Sequence, residues 1–389
     1  MTVFFLLLSG CAASEVVVSP EMFGAVGDGK ANDWEPIQQA LAACVAAVYN
    51  ATTPRSCRVR FTRTYLSGPL ILNSSRTTLE VASGATLAML PRPDYVKACP
   101  QTGCPFLSTG TGSKGCRTVY PNPHARTDGY QVCLDDVTLT GGGTIDGRST
   151  WAPTSWWLCA RLQLSCWRPR LTYFEFVNGL TINGSLTLKD APTGFIRLNS
   201  NVATRLSGVT LTAPYFTRNT DGINVYGGYD TACTLCLQRC ASTLHIQRCT
   251  PNSAPHPCTS NPVMPQLLEG STVDNGDDCV SIVPTGESID GGSFCFRKPA
   301  DVLCSGGHVV VRNFTCNGGH GLSIGGIRHG TVTNVTFTNI TATGGQVGDA
   351  HISPRICPHI CSHLPTSARI SSTRRAHSLA IAHNRSPSP

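Results

Sequence analysis

The sequence predicts an all-β chain, and three observations carry that prediction. Short β-branched runs recur along most of the 389 residues, each broken by Gly, Asn or Ser. Only one segment has a helical period, so the crossover helices of a doubly wound sheet are missing. Many runs read small–apolar–small, as in Val209-Thr210-Leu211-Thr212 and Gly321-Leu322-Ser323-Ile324-Gly325. A β-sandwich would also suit short strands with turn punctuation. The third pattern, with Asn or Gly at the corners, favours the stacked rungs of a parallel β-helix.

The elements follow in order. Val3 to Leu8 form a short apolar core before the small residues Gly10–Ser14, which reads as an export signal over residues 1–13. Leu8-Ser9-Gly10-Cys11 also resembles a bacterial lipoprotein box. Seven N-x-Ser/Thr sequons (Asn50, Asn73, Asn183, Asn313, Asn334, Asn339 and, in the tail, Asn384) favour a eukaryotic secretory route. From Trp34 to Val48, the residues Ile37, Leu41, Cys44, Val45 and Val48 share one helical face. Asn32 or Asp33 is the expected N-cap, with Glu35 completing a capping box. A solenoid is open at each end, and this helix is the natural N-terminal cap. The expected strands are Thr78–Val81, Val137–Leu139, Leu180–Ile182, Val209–Leu211, Gly222–Val225, Leu244–Ile246, Val280–Val283, His308–Val311, Leu322–Ile324 and Thr331–Thr338. The solenoid is expected over residues 22–348.

Composition narrows the function classes. Charged residues make up 14% of the chain, against about 25% in an average soluble domain. That excludes a coiled coil and a charged disordered chain. No apolar stretch reaches the ~18 residues of a membrane span. Twenty cysteines suit an oxidising compartment. The net charge of +7 is concentrated in residues 350–389, which hold five arginines and no acid, leaving +2 for the rest. A nearly neutral body has no footprint for a nucleic-acid partner.

Three clusters carry chemistry: Asn219-Thr220-Asp221-Gly222, Gly276-Asp277-Asp278-Cys279 and Gly319-His320-Gly321. Taken singly, the first is an ordinary turn, the second a solvated or calcium-binding acid pair, and the third a loop closure. Each, however, stands beside a β-branched run, so stacked rungs bring them together. Asp277 and Asp278 are adjacent and should point to opposite faces of an extended segment, which assigns them different jobs. Three carboxylates in one cleft cannot all ionise freely, so one pKa should rise and that group can donate a proton near neutral or mildly acidic pH, while the others stay charged and can activate a water. An acid beside bases that activate water is what glycoside hydrolysis requires.

These residues, with Phe23-Gly24-Ala25-Val26-Gly27-Asp28-Gly29, Gly143-Thr144-Ile145-Asp146-Gly147, Trp156-Trp157 and Arg168-Pro169, resemble the polygalacturonases. These are pectin-hydrolysing enzymes of glycoside hydrolase family 28, and the resemblance covers roughly residues 22–345. It implies a right-handed parallel β-helix, a monomeric secreted enzyme acting on de-esterified homogalacturonan, and no metal or cofactor. It also implies Asp277 as proton donor and Asp221 with Asp278 as the pair that deprotonates the attacking water, with inversion. His320 would assist the acid or hold substrate, and Asn219, Gly319 and Arg355 are the expected substrate-binding positions.

The sequence departs from that pattern after His320. The family's Arg-x-Lys motif, which grips the galacturonate carboxylate, has only Arg355-Ile356-Cys357 as a counterpart, and the last lysine is Lys298. The family's late tyrosine is also missing. Residues 349–389 are rich in Ser, His, Arg and Pro, and are expected to be a disordered tail from a truncated or misread gene. The gaps from Asp221 to Asp277 (56 positions) and from Asp277 to His320 (43 positions) are long. Cys233, Cys236, Cys240, Cys249 and Cys258, like Cys295 and Cys304, read as disulfide pins of insertions rather than zinc ligands. Three alternatives accompany the hydrolase: a calcium-dependent pectate lyase, an inactive or truncated pectin-binding β-helix, and a hydrolase or lyase of another pectin backbone such as rhamnogalacturonan.

Overall fold

The computed structural model describes residues 14–50, 55–99, 104–109, 117–120, 130–162, 166–227, 237–240, 243–246, 266–283, 305–324, 331–343, 351–352 and 379–381. Its architecture is the expected parallel β-helix. Thr77–Val81 pairs in parallel with Ser56–Phe61 on one side and Val137–Gly141 on the other. The same relation repeats through Thr181–Ile182, Arg205–Ser207, Gln266–Glu269, Ser305–Gly318 and Thr331–Thr343. A second stack runs from Asp28–Asn32 through Thr144–Asp146 to Thr272–Asn275. The two stacks merge where Ser305–Gly318 runs through both, giving one 17-stranded sheet.

A third face is an eight-stranded sheet: β1 (Leu70–Leu72), β2 (Leu107–Thr109), β3 (Thr172–Glu175), β4 (Ile196–Asn199), β5 (Ile223–Tyr226), β6 (Asp278–Val283), β7 (Gly321–Ile324) and β8 (His351–Ile352). All its neighbours are parallel and in sequence order. In-register stacking places like residues over like. Val18, Val59, Leu79, Leu139, Ile182, Leu206, Leu268, Val311 and Phe337 form one continuous buried column. A second column on the third face runs Leu70, Leu107, Thr172, Ile196, Ile223, Val280, Leu322. Alternation along each short strand turns the intervening Thr, Arg and Ser outward.

All ten expected runs overlap strands, but Leu244–Ile246 is a correction. It belongs to an antiparallel hairpin with Leu237–Cys240 rather than to a rung. Corners of the solenoid use left-handed residues. Asn313 and Asn339 occupy successive corners at φ 55 and 50, and Asn339 Nδ2 donates to Asn313 Oδ1 at 2.8 Å. The sequon residues Asn50, Asn73, Asn313 and Asn339 are exposed. Among the described residues, no helix is long and apolar enough to cross a membrane.

The capping helix α1 spans Trp34–Tyr49 and buries Ile37, Ala40, Leu41, Cys44 and Val48 against the first rungs. Its N-terminus is built differently from the capping box expected. Asp33 is the N-cap, but its carboxylate turns back to accept from the N–H groups of Val26 (2.7 Å) and Gly27 (3.2 Å). Asn32 Oδ1 accepts from Trp34 N–H at 3.1 Å. The acidic cap therefore fastens the preceding loop rather than the helix's own first turn. Two further helices span Arg92–Ala98 (α2) and Trp156–Leu162 (α3). Trp156 meets Tyr95 and Trp167 edge-on at 5.9 and 5.6 Å.

Disulfides join Cys44–Cys57, Cys99–Cys104, Cys159–Cys166 and Cys279–Cys316. The cysteines expected to pin the two insertions lie outside the described residues or have no described side chain. The first pair clips α1 to the strand Ser56–Phe61 across a separation of 13 residues. Closing a loop of that size stabilises a fold by about 2–4 kcal/mol. Replacing Cys44 and Cys57 together by Ala should lower the thermal midpoint measurably at a fixed scan rate. An unchanged midpoint would show that packing alone holds the cap.

Candidate active site

Three successive rungs deliver the clustered residues to one edge of the third face. Asn219-Thr220-Asp221 is the turn entering β5, Asp277 and Asp278 lie at the start of β6, and His320 precedes β7. The backbone ladder fixes their spacing. Gly222 N–H donates to Asp278 O at 2.8 Å, and His320 N–H donates to Asp277 O at 3.0 Å. Thr220 points inward and is buried. Its hydroxyl bonds to Thr217 and accepts from Gly276 N–H at 3.0 Å, so the turn is locked to the next rung. Asn219 takes the left-handed corner at φ 56.

The expectation of opposite faces for Asp277 and Asp278 does not hold. Asp277 sits in a bend just before β6, where strand alternation does not apply. Both carboxylates converge on one imidazole nitrogen: His320 Nδ1 is 3.1 Å from Asp277 Oδ1 and 3.6 Å from Asp278 Oδ1. Their surroundings nevertheless differ. Asp277 accepts from the N–H groups of Asn219 (3.0 Å) and Asp278 (2.9 Å). Asp278 Oδ2 accepts from the Ser323 hydroxyl at 2.6 Å. Asp221 accepts from Asn224 Nδ2 at 2.7 Å, and Asn224 Oδ1 accepts from Arg170 at 2.8 Å.

Gly319 has a geometric role. It adopts φ +59, and a Cβ there would lie 1.8 Å from Asp277 O. No other residue fits that close approach. Arg355 lies outside the described residues. Sequence reasoning assigns no role to Ser323, Asn224, Arg168 or Arg170, yet they hold the expected residues in place. Arg168 donates to Asn219 Oδ1 at 2.8 Å and to the carbonyls of Pro192 and Arg218. Its presence in an Arg-Pro motif is visible in the sequence, but a contact spanning 51 positions is not.

Electrostatics separates the carboxyls. Burial pushes the Asp278 carboxyl up to about 6, with the Asp221 and Asp277 charges adding to the rise and the Ser323 bond and His320 opposing it. Asp221 is also raised, first by burial and then by Asp277. Asp277, Asp278 and His320 each offer a ligand atom within 4.8 Å of the others, a spacing that could also hold a cation. The family resemblance implies none, and carboxylate chemistry on a glycosidic bond requires none.

The raised pKa of Asp278 is a stability statement. The folded state holds this proton more tightly than the unfolded chain, so the benefit is full below about 3.8 and lost as pH rises through about 6. Ionised at pH 7, the group costs the fold up to about 3 kcal/mol. Asp278→Asn should therefore raise the melting midpoint at pH 7, with the gain fading by about pH 4. A gain that does not vary with pH would contradict the buried-carboxylate account.

The chain is 26% identical over 211 residues to a polygalacturonase of Cryptomeria japonica, covering 53% of this chain and 30% of that one. It is 27% identical over 273 residues to "Probable endopolygalacturonase A" of Neosartorya fischeri, covering 69% and 55% respectively. The chain thus spans from under a third to about half of the length of these relatives. Among solved structures, the polygalacturonase from Erwinia carotovora ssp. carotovora superposes with a TM-score of 0.54 at 18% identity, over 86% of this chain and 70% of that one. An exopolygalacturonase from Thermotoga maritima gives 0.53 at 16% identity, over 86% and 67%. These likenesses establish the right-handed parallel β-helix. Residues 127–230 and 254–352, just over half of the chain and including every described site residue, match the model of Glycosyl hydrolases family 28, and the chain belongs to that family.

Proposed function

We propose that this chain is a secreted polygalacturonase-type hydrolase that cleaves α-1,4-galacturonosyl linkages of pectin with inversion and without a cofactor. The observation that carries the reading is the convergence of Asp221, Asp277, Asp278 and His320 from three successive rungs. Asp277 is the proton donor to the leaving oxygen. Asp221 and Asp278 position and deprotonate the attacking water. Asp221 and Asp278, both raised first by burial, must lose their protons before they act as bases, so the division follows the family resemblance and not the pKa directions. His320 Nδ1, within 3.1 Å of Asp277 and 3.6 Å of Asp278, can pass a proton between them. Asn219 steadies Asp277 through its backbone N–H. Export is supported by the four described disulfides, which suit an oxidising compartment.

The first test is reducing-end release from polygalacturonate by the purified protein, beside Asp277→Asn. The expected loss is about 10²–10⁴-fold in kcat, the usual worth of a positioned acid. Product absorbance from an unsaturated sugar would instead indicate a lyase. Folded protein that binds polygalacturonate without turnover would indicate an inactive pectin-binding β-helix. Proton NMR of the first-formed anomer reads inversion directly.

A pH profile gives a second check. The base must be ionised to accept a proton, so kcat/KM should rise with pH through about 6, where Asp278 titrates. The apparent value belongs to the coupled carboxyls rather than to one residue. A profile flat between pH 5 and 7 would remove Asp278 from the base role.

A further inference from the structure

A buried amide stands between the Asp221 carboxyl and a guanidinium two rungs away. Asn224 on β5 is 1% exposed. Its Nδ2 donates to Asp221 Oδ2 at 2.7 Å, and its Oδ1 accepts from Arg170 Nη1 at 2.8 Å. Chemistry fixes the sense of both bonds. A guanidinium carries donors only, so the amide must turn its oxygen towards Arg170. The amide NH₂ is then left for Asp221 Oδ2, which can only accept from it. An ionised carboxylate suits that place, whereas a proton on Oδ2 would face an N–H.

The stacking of rungs leaves room for this arrangement. Leu171 N–H donates to Gly194 O and Phe195 N–H donates to Asp221 O, so Arg170, Gly194 and Asp221 hold like positions on successive turns. Arg170 therefore reaches Asn224 across residue 194. A Cβ at that residue would lie 2.6 Å from Arg170 Nη1 and 3.2 Å from Asn224 Oδ1. Gly194 is not in the left-handed region, so what glycine supplies here is space rather than conformation. The space is the one in which the guanidinium and the amide meet.

The charges around Asp221 pull in both directions. Burial, and then the neighbouring Asp277, favours the protonated form, whereas the Asn224 bond and then the Arg170 charge favour the ionised one. Asp278 and Arg168 also stand close enough to interact with the Asp221 charge. The two arginines differ in what they bond. Arg168 bonds Asn219 and the carbonyls of Pro192 and Arg218, while Arg170 bonds the amide that touches Asp221. We propose that Asn224 and Arg170 are positioning residues that keep Asp221 an ionised hydrogen-bond acceptor within a cluster of acids, ready to take a proton from the attacking water. The inference rests on the base role given to Asp221 above.

The test is a carbon-13 NMR titration of the full chain labelled at its aspartate carboxyl carbons, with the Asp221 signal assigned by its loss in Asp221→Asn. Asn224→Leu keeps the size of the side chain and removes the donor. The Asp221 midpoint should then rise by about one pH unit or more, the worth of a hydrogen bond to a charged group. Arg170→Met should raise it too, because the amide is then free to turn. Arg170→Lys still donates to Asn224 Oδ1 and should stay nearer the parent value. In an active chain, Asn224→Leu should cost more in kcat/KM at about pH 5 than at about pH 7, since the carboxyl holds its proton to higher pH. A midpoint that stays put in folded Asn224→Leu, or that rises equally in the Lys and Met variants, would overturn the proposal. Should Asn224→Leu fail to fold by circular dichroism, Gly194→Ala keeps both partners and sets a methyl group between them. The same rise is expected there, and an unmoved midpoint counts against the proposal in the same way. The two readings fail separately. An Asn224-dependent midpoint without turnover by the parent chain would sink the hydrolase and keep the positioning role, whereas turnover with an Asn224-independent midpoint would do the reverse.

Discussion

Parallel, in-register pairing of one rung on the next is the constraint from which the other features follow. Neighbouring strands sit about 4.8 Å apart, so each residue is stacked on its equivalent in the previous turn. Inward, this builds the unbroken column from Val18 to Phe337. A polar residue in that column would meet only apolar neighbours, so the rungs enforce a repeating small–apolar–small pattern. At the outer edge, the same spacing pushes Asp221, Asp277 and Asp278 towards one another.

The site is thus a case of a fold generating its own electrostatics. Burial beneath the sheet, with the neighbouring carboxyls adding to it, raises Asp221 and Asp278, and donors such as Ser323 and Asn224 gather around them. The polar outer row of the third face then extends the same logic towards Arg197 and Tyr173. Charge on this face is graded: acidic at β5–β7, basic at β3–β4.

Much of this is legible in the amino-acid sequence. The period-2 rhythm of runs such as Val137-Thr138-Leu139 and the lack of crossover helices point to stacked rungs, and the three polar clusters point to the site. What is illegible depends on contacts between distant positions. Asp33 reads as a helix cap, but its oxygens serve Val26 and Gly27, because the loop folds back over the helix start. Leu244–Ile246 has the composition of a rung, yet pairs with its own neighbour in a hairpin. The bend at Asp277 breaks the alternation that the local sequence suggests. Arg168 and Arg170 look like ordinary surface residues until the rungs set them against Asn219 and Asn224.

The bridge from Cys279 to Cys316 ties the inner side of β6 to the neighbouring face, one residue from Asp278. It spans 37 positions, which include the whole of the second insertion. Cutting the backbone anywhere inside that span leaves both pieces covalently attached. A protease that nicks the insertion therefore yields two bands on a reducing gel and one on a non-reducing gel, with the carboxylate-bearing strand still anchored. The covalent link between β6 and the neighbouring face thus outlasts any single backbone break between Cys279 and Cys316.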